Sequence, residues 1–290
     1  MKDKTCIITG ANAGIGYETA MALAEKGARI IMICRNPQKG QEALAAIRAQ
    51  SGSDRHELYV ADLASQQEIR RAAQAILRAH PVIDVFIHNA GTWISRLTHT
   101  AEGHETVFAV NHLAGFLLTH LLYPHLRKAP DARIIHVSSD SHFQIGRIHF
   151  DDLSLSRRYH GLRSYAQSKL AQVMFTYEFE GRKPDPHVSV HAVQPGLVHT
   201  DIGLKHTSWF HSLAWKARRG WWKSLTPAEG AQTPVYLASE PEGQSISGKY
   251  WDKCRPKPSS KASYNEADAA RLWQVSMEMC GIRDFFAGEE

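Results

Sequence analysis

The chain has 290 residues, 43% of them hydrophobic, with 34 basic and 29 acidic side chains and a formal net charge of +5. That composition fits a globular protein large enough for one α/β domain, and the mixed, mildly basic surface suits an anionic cofactor better than nucleic acid. The four cysteines form no CxxC, and no stretch approaches about 18 uninterrupted apolar residues, so neither a disulfide framework nor a membrane span is expected.

The first element is the apolar run Thr5–Thr9, a strand that passes straight into "TGANAGIG", Thr9 to Gly16, and then into an amphipathic helix, Gly16–Lys26. The start "MKDKTCIITG" is too short in apolar residues for a signal peptide, and with Cys6 and Cys34 inside apolar runs the expected compartment is the reducing cytoplasm. Further strands are predicted at Arg29–Cys34, Glu57–Ala61, Val82–His88, Arg133–Val137, Ser189–Val193 and Ile246–Tyr250. Helices are predicted at Pro37–Gln50, Gln66–His80, Glu102–Leu126, Leu162–Phe179 and Pro227–Ala238. Strands that are apolar throughout, alternating with helices, imply a Rossmann-type doubly wound parallel sheet of about seven strands in a single domain over 1–290. Two segments break the rhythm, Lys205–Ser224 and Lys253–Ser263 ("KCRPKPSSKAS"). The 17 histidines show no metal-ligand spacing, so no metal is expected.

A glycine turn between a strand and a helix lets the backbone approach a pyrophosphate, and the helix N-terminus presents free N–H groups to it. The alternative is a tight structural turn with no ligand. At the end of the second strand an NAD enzyme usually carries a carboxylate for the ribose 2′-OH. Here the chain reads Cys34-Arg35, with Lys39 nearby. A guanidinium without a carboxylate favours the 2′-phosphate of NADP(H). Further on, Tyr165 and Lys169 are spaced i, i+4 in a helix, which places phenol and ammonium on one face, where a cation would favour the phenolate.

With these motifs on the page the sequence resembles the short-chain dehydrogenase/reductase family. TGxxxGIG stands at Thr9–Gly16, NAG at Asn89–Gly91, the helix asparagine at Asn111, the serine of "VSS" at Ser139, YxxxK at Tyr165 and Lys169, and PG at Pro195-Gly196, in family order. "CRN" at Cys34–Asn36, "VSSDSHFQIGRIHFDDL" at Val137–Leu153, "TPAEGAQTPVYLA" at Thr226–Ala238, "SGKYWDKC" at Ser247–Cys254 and "ARLWQVS" at Ala270–Ser276 are similar to the retinol dehydrogenase-like branch, as is the long interval between Ser139 and Tyr165. The resemblance implies an NADP(H)-dependent oxidoreductase that interconverts a hydrophobic alcohol and a carbonyl compound by hydride transfer. Tyr165 would be the general acid or base, Lys169 would hold the ribose and lower the Tyr165 pKa, Ser139 would bind the substrate oxygen, and Asn111 would hold a relay water. Ser138 is the competing serine, and a purely structural asparagine is the competing reading of Asn111. The cofactor would lie on Gly10, Asn12, Gly14, Ile15, Gly16, Arg35, Asp62, Leu63, Asn89, Ala90, Gly91, Pro195, Gly196, Val198 and Thr200, as well as on Tyr165 and Lys169. Capping of the next helix is the other reading of Asp62, and strand bracing the other reading of Asn89.

The excursion at 200–225 carries Trp209, Trp215, Trp221 and Trp222 among basic residues. It is expected to be a substrate lid, with Trp209 and Trp93 against the substrate; contact with an anionic membrane is less favoured and nucleic acid least. Many members of the branch carry an N-terminal membrane anchor, whereas this chain opens at the first strand. A non-catalytic NADP(H)-binding protein and a peripheral membrane protein are the alternatives to an enzyme. Family members often form homodimers or homotetramers, and nothing in the sequence chooses between them.

Overall fold

In the computed structural model, residues 1–196, 198 and 225–288 are described. Seven parallel strands, β1 (Thr5–Thr9), β2 (Arg29–Cys34), β3 (Glu57–Val60), β4 (Val85–His88), β5 (Ala132–Val137), β6 (Val188–Val193) and β7 (Lys249–Asp252), form one sheet. A short antiparallel strand, β8 (Arg255–Pro256), closes its edge, and the order is β3-β2-β1-β4-β5-β6-β7-β8. The order reverses between β1 and β4, so their C-terminal ends diverge at the crevice where open α/β sheets take ligands.

The helices are α1 (Gly14–Glu25), α2 (Pro37–Ser51), α3 (Gln66–Ala79), α4 (Thr106–Leu126), α5 (Gly161–Arg182), α6 (Pro227–Ser239) and α7 (Glu266–Cys280). One face of the sheet packs through Cys6, Ile8, Met32 and Val193 against apolar residues of α1, α2 and α6. The other packs through Ile7, Ile31, Phe86 and Ile134 against α3, α4, α5 and α7. Every residue of β1, β4, β5 and β6 is buried, as the unbroken apolar runs require of strands covered on both faces.

Several expectations are corrected. The strand predicted at Val82–His88 starts at Val85, and the one predicted at Ile246–Tyr250 lies at Lys249–Asp252, because Ile246 ends the short helix Glu242–Ser245. The helix predicted from Glu102 begins at Thr106, where the carboxylate of Glu105 caps it by accepting from the N–H groups of Val107 and Phe108. Residues Ala109–Leu113 of this helix widen into a π turn. By length and composition α4 could cross a membrane after all, but 89% of its apolar window is buried inside the protein.

The C-terminal helix α7 was not predicted. Asn265 caps its start, Gly281 ends it at φ 66°, and Ala269, Leu272, Trp273 and Ser276 turn one face inward. The chain then delivers Phe285 into a ring cluster, 4.8 Å from Phe116 and 4.4 Å from Trp273 between ring centroids. Phe285 is 3% exposed. Phe285→Ala is therefore expected to cost about 3–5 kcal/mol of stability, measured as a lower urea midpoint at unchanged m-value. A change below 1 kcal/mol would show that the C-terminal segment is not part of the folding core.

Candidate active site

β1 ends at Thr9, and the chain turns through Gly10 at φ +66°, a left-handed conformation that glycine adopts without strain. A Cβ at Gly16 would run into the Asn89 amide and the Gly10 carbonyl, so this residue is glycine for want of space. α1 starts at Gly14 with no side-chain cap and no acidic residue in its first turn. Its leading N–H groups and partial positive charge thus face outward from the strand ends, where an anion is favoured.

The loop after β4 is fastened to this turn. Thr9 Oγ1 accepts from the N–H groups of Asn89 at 3.1 Å and Ala90 at 2.9 Å, and Asn89 Nδ2 donates to the Thr9 carbonyl at 2.9 Å. The amide of Asn89 thus braces β4 against β1. Gly91 continues the loop, and in the next residue Thr92 N–H donates to Asn111 Oδ1 at 2.7 Å.

Asn111 lies in the π turn with no exposed surface. Its Nδ2 donates to the Thr92 carbonyl at 3.0 Å and to Ser168 Oγ at 2.9 Å. Its side chain is thus taken up in bracing the loop after β4 against α5. The Asn111 carbonyl, released from the regular helix ladder, lies 3.1 Å from His88 Nε2. Thr9 already accepts two N–H groups, so its own proton goes to His88 Nδ1 at 3.3 Å. That assigns the His88 ring proton to Nε2, donating to the Asn111 carbonyl. Sequence reasoning missed His88; the only signal was a histidine where the apolar strand "VFIH" meets the NAG motif.

Of the two serines after β5, Ser138 is buried and donates to the Lys169 carbonyl at 3.0 Å. Ser139 is the one that acts on the Tyr165 phenol, lowering its pKa against the effect of burial, while its Oγ is hydrogen-bonded to Ser141. The long stretch between Ser139 and Tyr165 is pinned to α5 by Gln167, which accepts from His149 N–H and donates to the Leu153 carbonyl.

Tyr165 and Lys169 do lie together, with Nζ 5.4 Å from the ring centroid. The ammonium is directed elsewhere, however, donating to the Val137 carbonyl at 2.8 Å and to Gln172 Oε1 at 3.0 Å. Burial pushes the Tyr165 phenol up to about 12, offset in part by Ser139, and pushes Lys169 down to about 7. The expectation that Lys169 lowers the Tyr165 pKa is thus corrected. Desolvation of both groups outweighs their interaction across the ring.

At the rim, the thiol of Cys34 lies against the N–H groups of Ala11 and Asn12, and burial raises it to about 11. Arg35 is 66% exposed in its side chain and 3.8 Å from Asp62. Lys39 is engaged through its N–H in the Asn36 cap of α2. Asp62 does not cap α3; Ser65 does, while Asp62 Oδ1 accepts from Ala64 N–H. The side chain of Leu63 is buried in the core beneath. Pro195 and Gly196 follow β6, and Val198 pairs with Leu225 in a parallel bridge. Val198 and Ile15 converge on Gly230 of α6, where an added Cβ would stand 2.6 Å from Val198 Cγ2 and 3.2 Å from Ile15 Cγ1. Half-buried Trp93 packs beside Gly161, one turn before Tyr165. Thr200, Trp209 and the rest of the expected lid up to residue 224 lie outside the described residues. Among the described residues, no group of three or more His, Cys, Asp or Glu could hold a metal ion.

This arrangement can be set beside known proteins. The model of the short chain dehydrogenase family matches residues 4–210. The chain belongs to that family. Human retinol dehydrogenase 12 is 39% identical over 280 residues, covering 97% of this chain and 87% of the relative, which places the chain in the retinol dehydrogenase-like branch. A crystal structure of an uncharacterized protein from Mycobacterium Paratuberculosis is 30% identical, with a TM-score of 0.78 over 98% of this chain and 95% of that one. A short chain dehydrogenase from Shigella flexneri, complexed with NADP, shares the fold at 22% identity and a TM-score of 0.69, covering 88% of this chain and 98% of that one.

The site also makes a prediction about acid stability. His88, His112 and His136 are all buried, and burial lowers His88 to about 4, His112 to about 3 and His136 well below its usual value. Each takes up a proton on unfolding between its lowered value and about 6.5, so stability falls as pH drops through that window, by about 1.4 kcal/mol per pH unit per proton. His88→Asn is expected to make the loss between pH 6.5 and 4 shallower by up to one proton, measured by urea unfolding at several pH values. An unchanged slope would show that His88 does not titrate there.

Proposed function

We propose that the protein is an NADP(H)-dependent oxidoreductase that interconverts a hydrophobic alcohol and a carbonyl compound. The observation that carries this reading is the pair of Tyr165 and Lys169, with Nζ 5.4 Å from the ring centroid and bonded to the last carbonyl of β5 at Val137, at the strand ends where α1 also begins. The residues fit a dinucleotide: Gly10 turns the chain at φ +66°, and among the described residues no side chain caps the leading N–H groups of α1. Gly10, Asn12, Gly14, Ile15 and Gly16 would hold the pyrophosphate, with Asn89, Ala90, Gly91, Pro195, Gly196 and Val198 lining the remaining length. The cofactor would supply or accept the hydride.

This chain's own groups do the rest. Ser139 donates to the substrate oxygen and keeps it within reach of the Tyr165 hydroxyl. Burial keeps Tyr165 a neutral phenol through physiological pH. It therefore holds the proton that a developing alkoxide needs, which suits carbonyl reduction. Lys169, bound to the Val137 carbonyl and Gln172, is placed to meet the ribose without displacing Tyr165. The apolar character of the substrate is supported by Phe143 and Leu162, which are 48% and 40% exposed and stand four residues after Ser139 and three before Tyr165. The relatives named retinol dehydrogenases support the same class.

The first test is a screen of NADPH oxidation against apolar aldehydes, ketones and quinones. Tyr165→Phe should lower kcat at least about 100-fold on any substrate found and leave NADPH binding intact. Near-normal turnover would remove Tyr165 from the chemistry. For the cofactor, Arg35→Ala deletes a charge-assisted contact with the 2′-phosphate. It should weaken NADPH about tenfold or more, the equivalent of roughly 1.5–3 kcal/mol, and leave NADH almost unchanged. Equal losses for both, by calorimetry, would show that Arg35 does not read the phosphate.

A further inference from the structure

The segment Lys253–Ser263 interrupts the strand–helix rhythm and takes no part in the cofactor cradle. It starts as the β7–β8 hairpin, whose turn residues Lys253 and Cys254 are both left-handed, at φ 50° and 58°. Such a two-residue turn normally uses Gly or Asn. Here Thr233 of α6 secures it by accepting the Cys254 N–H at 3.1 Å.

From this anchor the strands and the chain beyond them grip the single turn Asp140–Gln144 that follows Ser139. Tyr250 Oη donates to Asp140 Oδ1 at 2.8 Å, and Lys257 Nζ lies 3.4 Å from both oxygens of Asp140. The third grip is through His142, which has no exposed surface. Its Nε2 accepts the N–H of Ser260 at 3.1 Å, so the ring proton is on Nδ1. Nδ1 then donates to the Ser139 carbonyl at 2.7 Å. The rings of Phe143 and Tyr250 hold the imidazole from two sides, with centroids 4.2 and 4.8 Å away.

We infer that His142 is a positioning residue for Ser139: a neutral strut that ties the Ser139 backbone to the Ser260 backbone and so holds the Ser139 hydroxyl against Tyr165. A five-residue 3₁₀ turn is weakly held by its own hydrogen bonds. The Ser139 hydroxyl is otherwise bonded within that same turn, to Ser141. Displacing a reacting group by about 1 Å can cost about 100-fold in rate, so an external strut has catalytic value. The inference rests on the reading of Ser139 as the partner of the substrate oxygen.

Two substitutions separate the two ends of the strut. In His142→Asn the amide reaches the place of Nδ1 and keeps a donor for the Ser139 carbonyl. In His142→Gln it reaches the place of Nε2, keeps an acceptor for Ser260 and gives up Ser139. With the best aldehyde or ketone from the screen above, the Gln variant should lose at least tenfold in kcat. The Asn variant, which keeps the Ser139 end but is cut off from Ser260, should lose at least fivefold, and both variants should bind NADPH within twofold of the wild type. Either variant as fast as the wild type overturns the inference. So do variants too unstable to fold, since the ring would then serve stability alone. Ser139→Ala, measured alongside, tells the two failures apart. If it turns over normally, the reading of Ser139 falls and the strut with it. If it is inactive while both His142 variants work normally, the strut alone falls.

Discussion

The Thr9 hydroxyl joins the ends of β1 and β4, and most of the site hangs from that join. It accepts two N–H groups from the loop after β4 and passes its own proton to His88. His88 in turn donates to the carbonyl that the π turn frees at Asn111. The Asn111 amide donates to Ser168 Oγ, and Ser168 donates to the carbonyl of Tyr165. A continuous set of buried and part-buried hydrogen bonds therefore runs from the glycine turn to the residue assigned the proton. In surroundings of low polarity each such bond is costly to leave unmade, so the members fix one another's positions. Gly115 makes room for it: an added Cβ there would stand 2.6 Å from His88 Cδ2 and 3.0 Å from His136 Cε1.

Much of this was legible in the sequence, and what was not has physical causes. The parallel sheet followed from apolar strands alternating with helices, and the glycine turn from the crowding that only Gly10 and Gly16 relieve. The π turn was not legible, because a single-residue widening leaves the apolar pattern of α4 intact. α7 carried its signals, an asparagine cap and an inward face at helical spacing, but "EADAARLWQVSMEMC" reads as polar until Trp273 and Phe285 are seen to share one cluster. β8 is two exposed residues long and owes its existence to the hairpin turn at Lys253-Cys254.

The electrostatics were the least legible part. Spacing alone places the ammonium of Lys169 on the face of Tyr165, and the two are indeed neighbours. Spacing does not reveal that the Val137 carbonyl and Gln172 lie closer to Nζ, or that Lys169 is buried and Tyr165 half-buried. Desolvation then decides the outcome, raising the phenol and lowering the amine. The same burial explains why His88, His112 and His136 are uncharged at neutral pH.

The central claim is that the crevice above β1 and β4 holds a nicotinamide dinucleotide, and that Arg35 selects the phosphorylated form. Thermal unfolding of the wild-type protein with and without cofactor measures this without any knowledge of the substrate. A ligand at 100 times its Kd stabilises the folded state by about 2.7 kcal/mol, which for a chain of this size is a rise of several degrees in Tm. The account predicts that rise with NADPH, and a clearly smaller one with NADH at the same concentration. No shift with either nucleotide, or a larger shift with NADH, would contradict it.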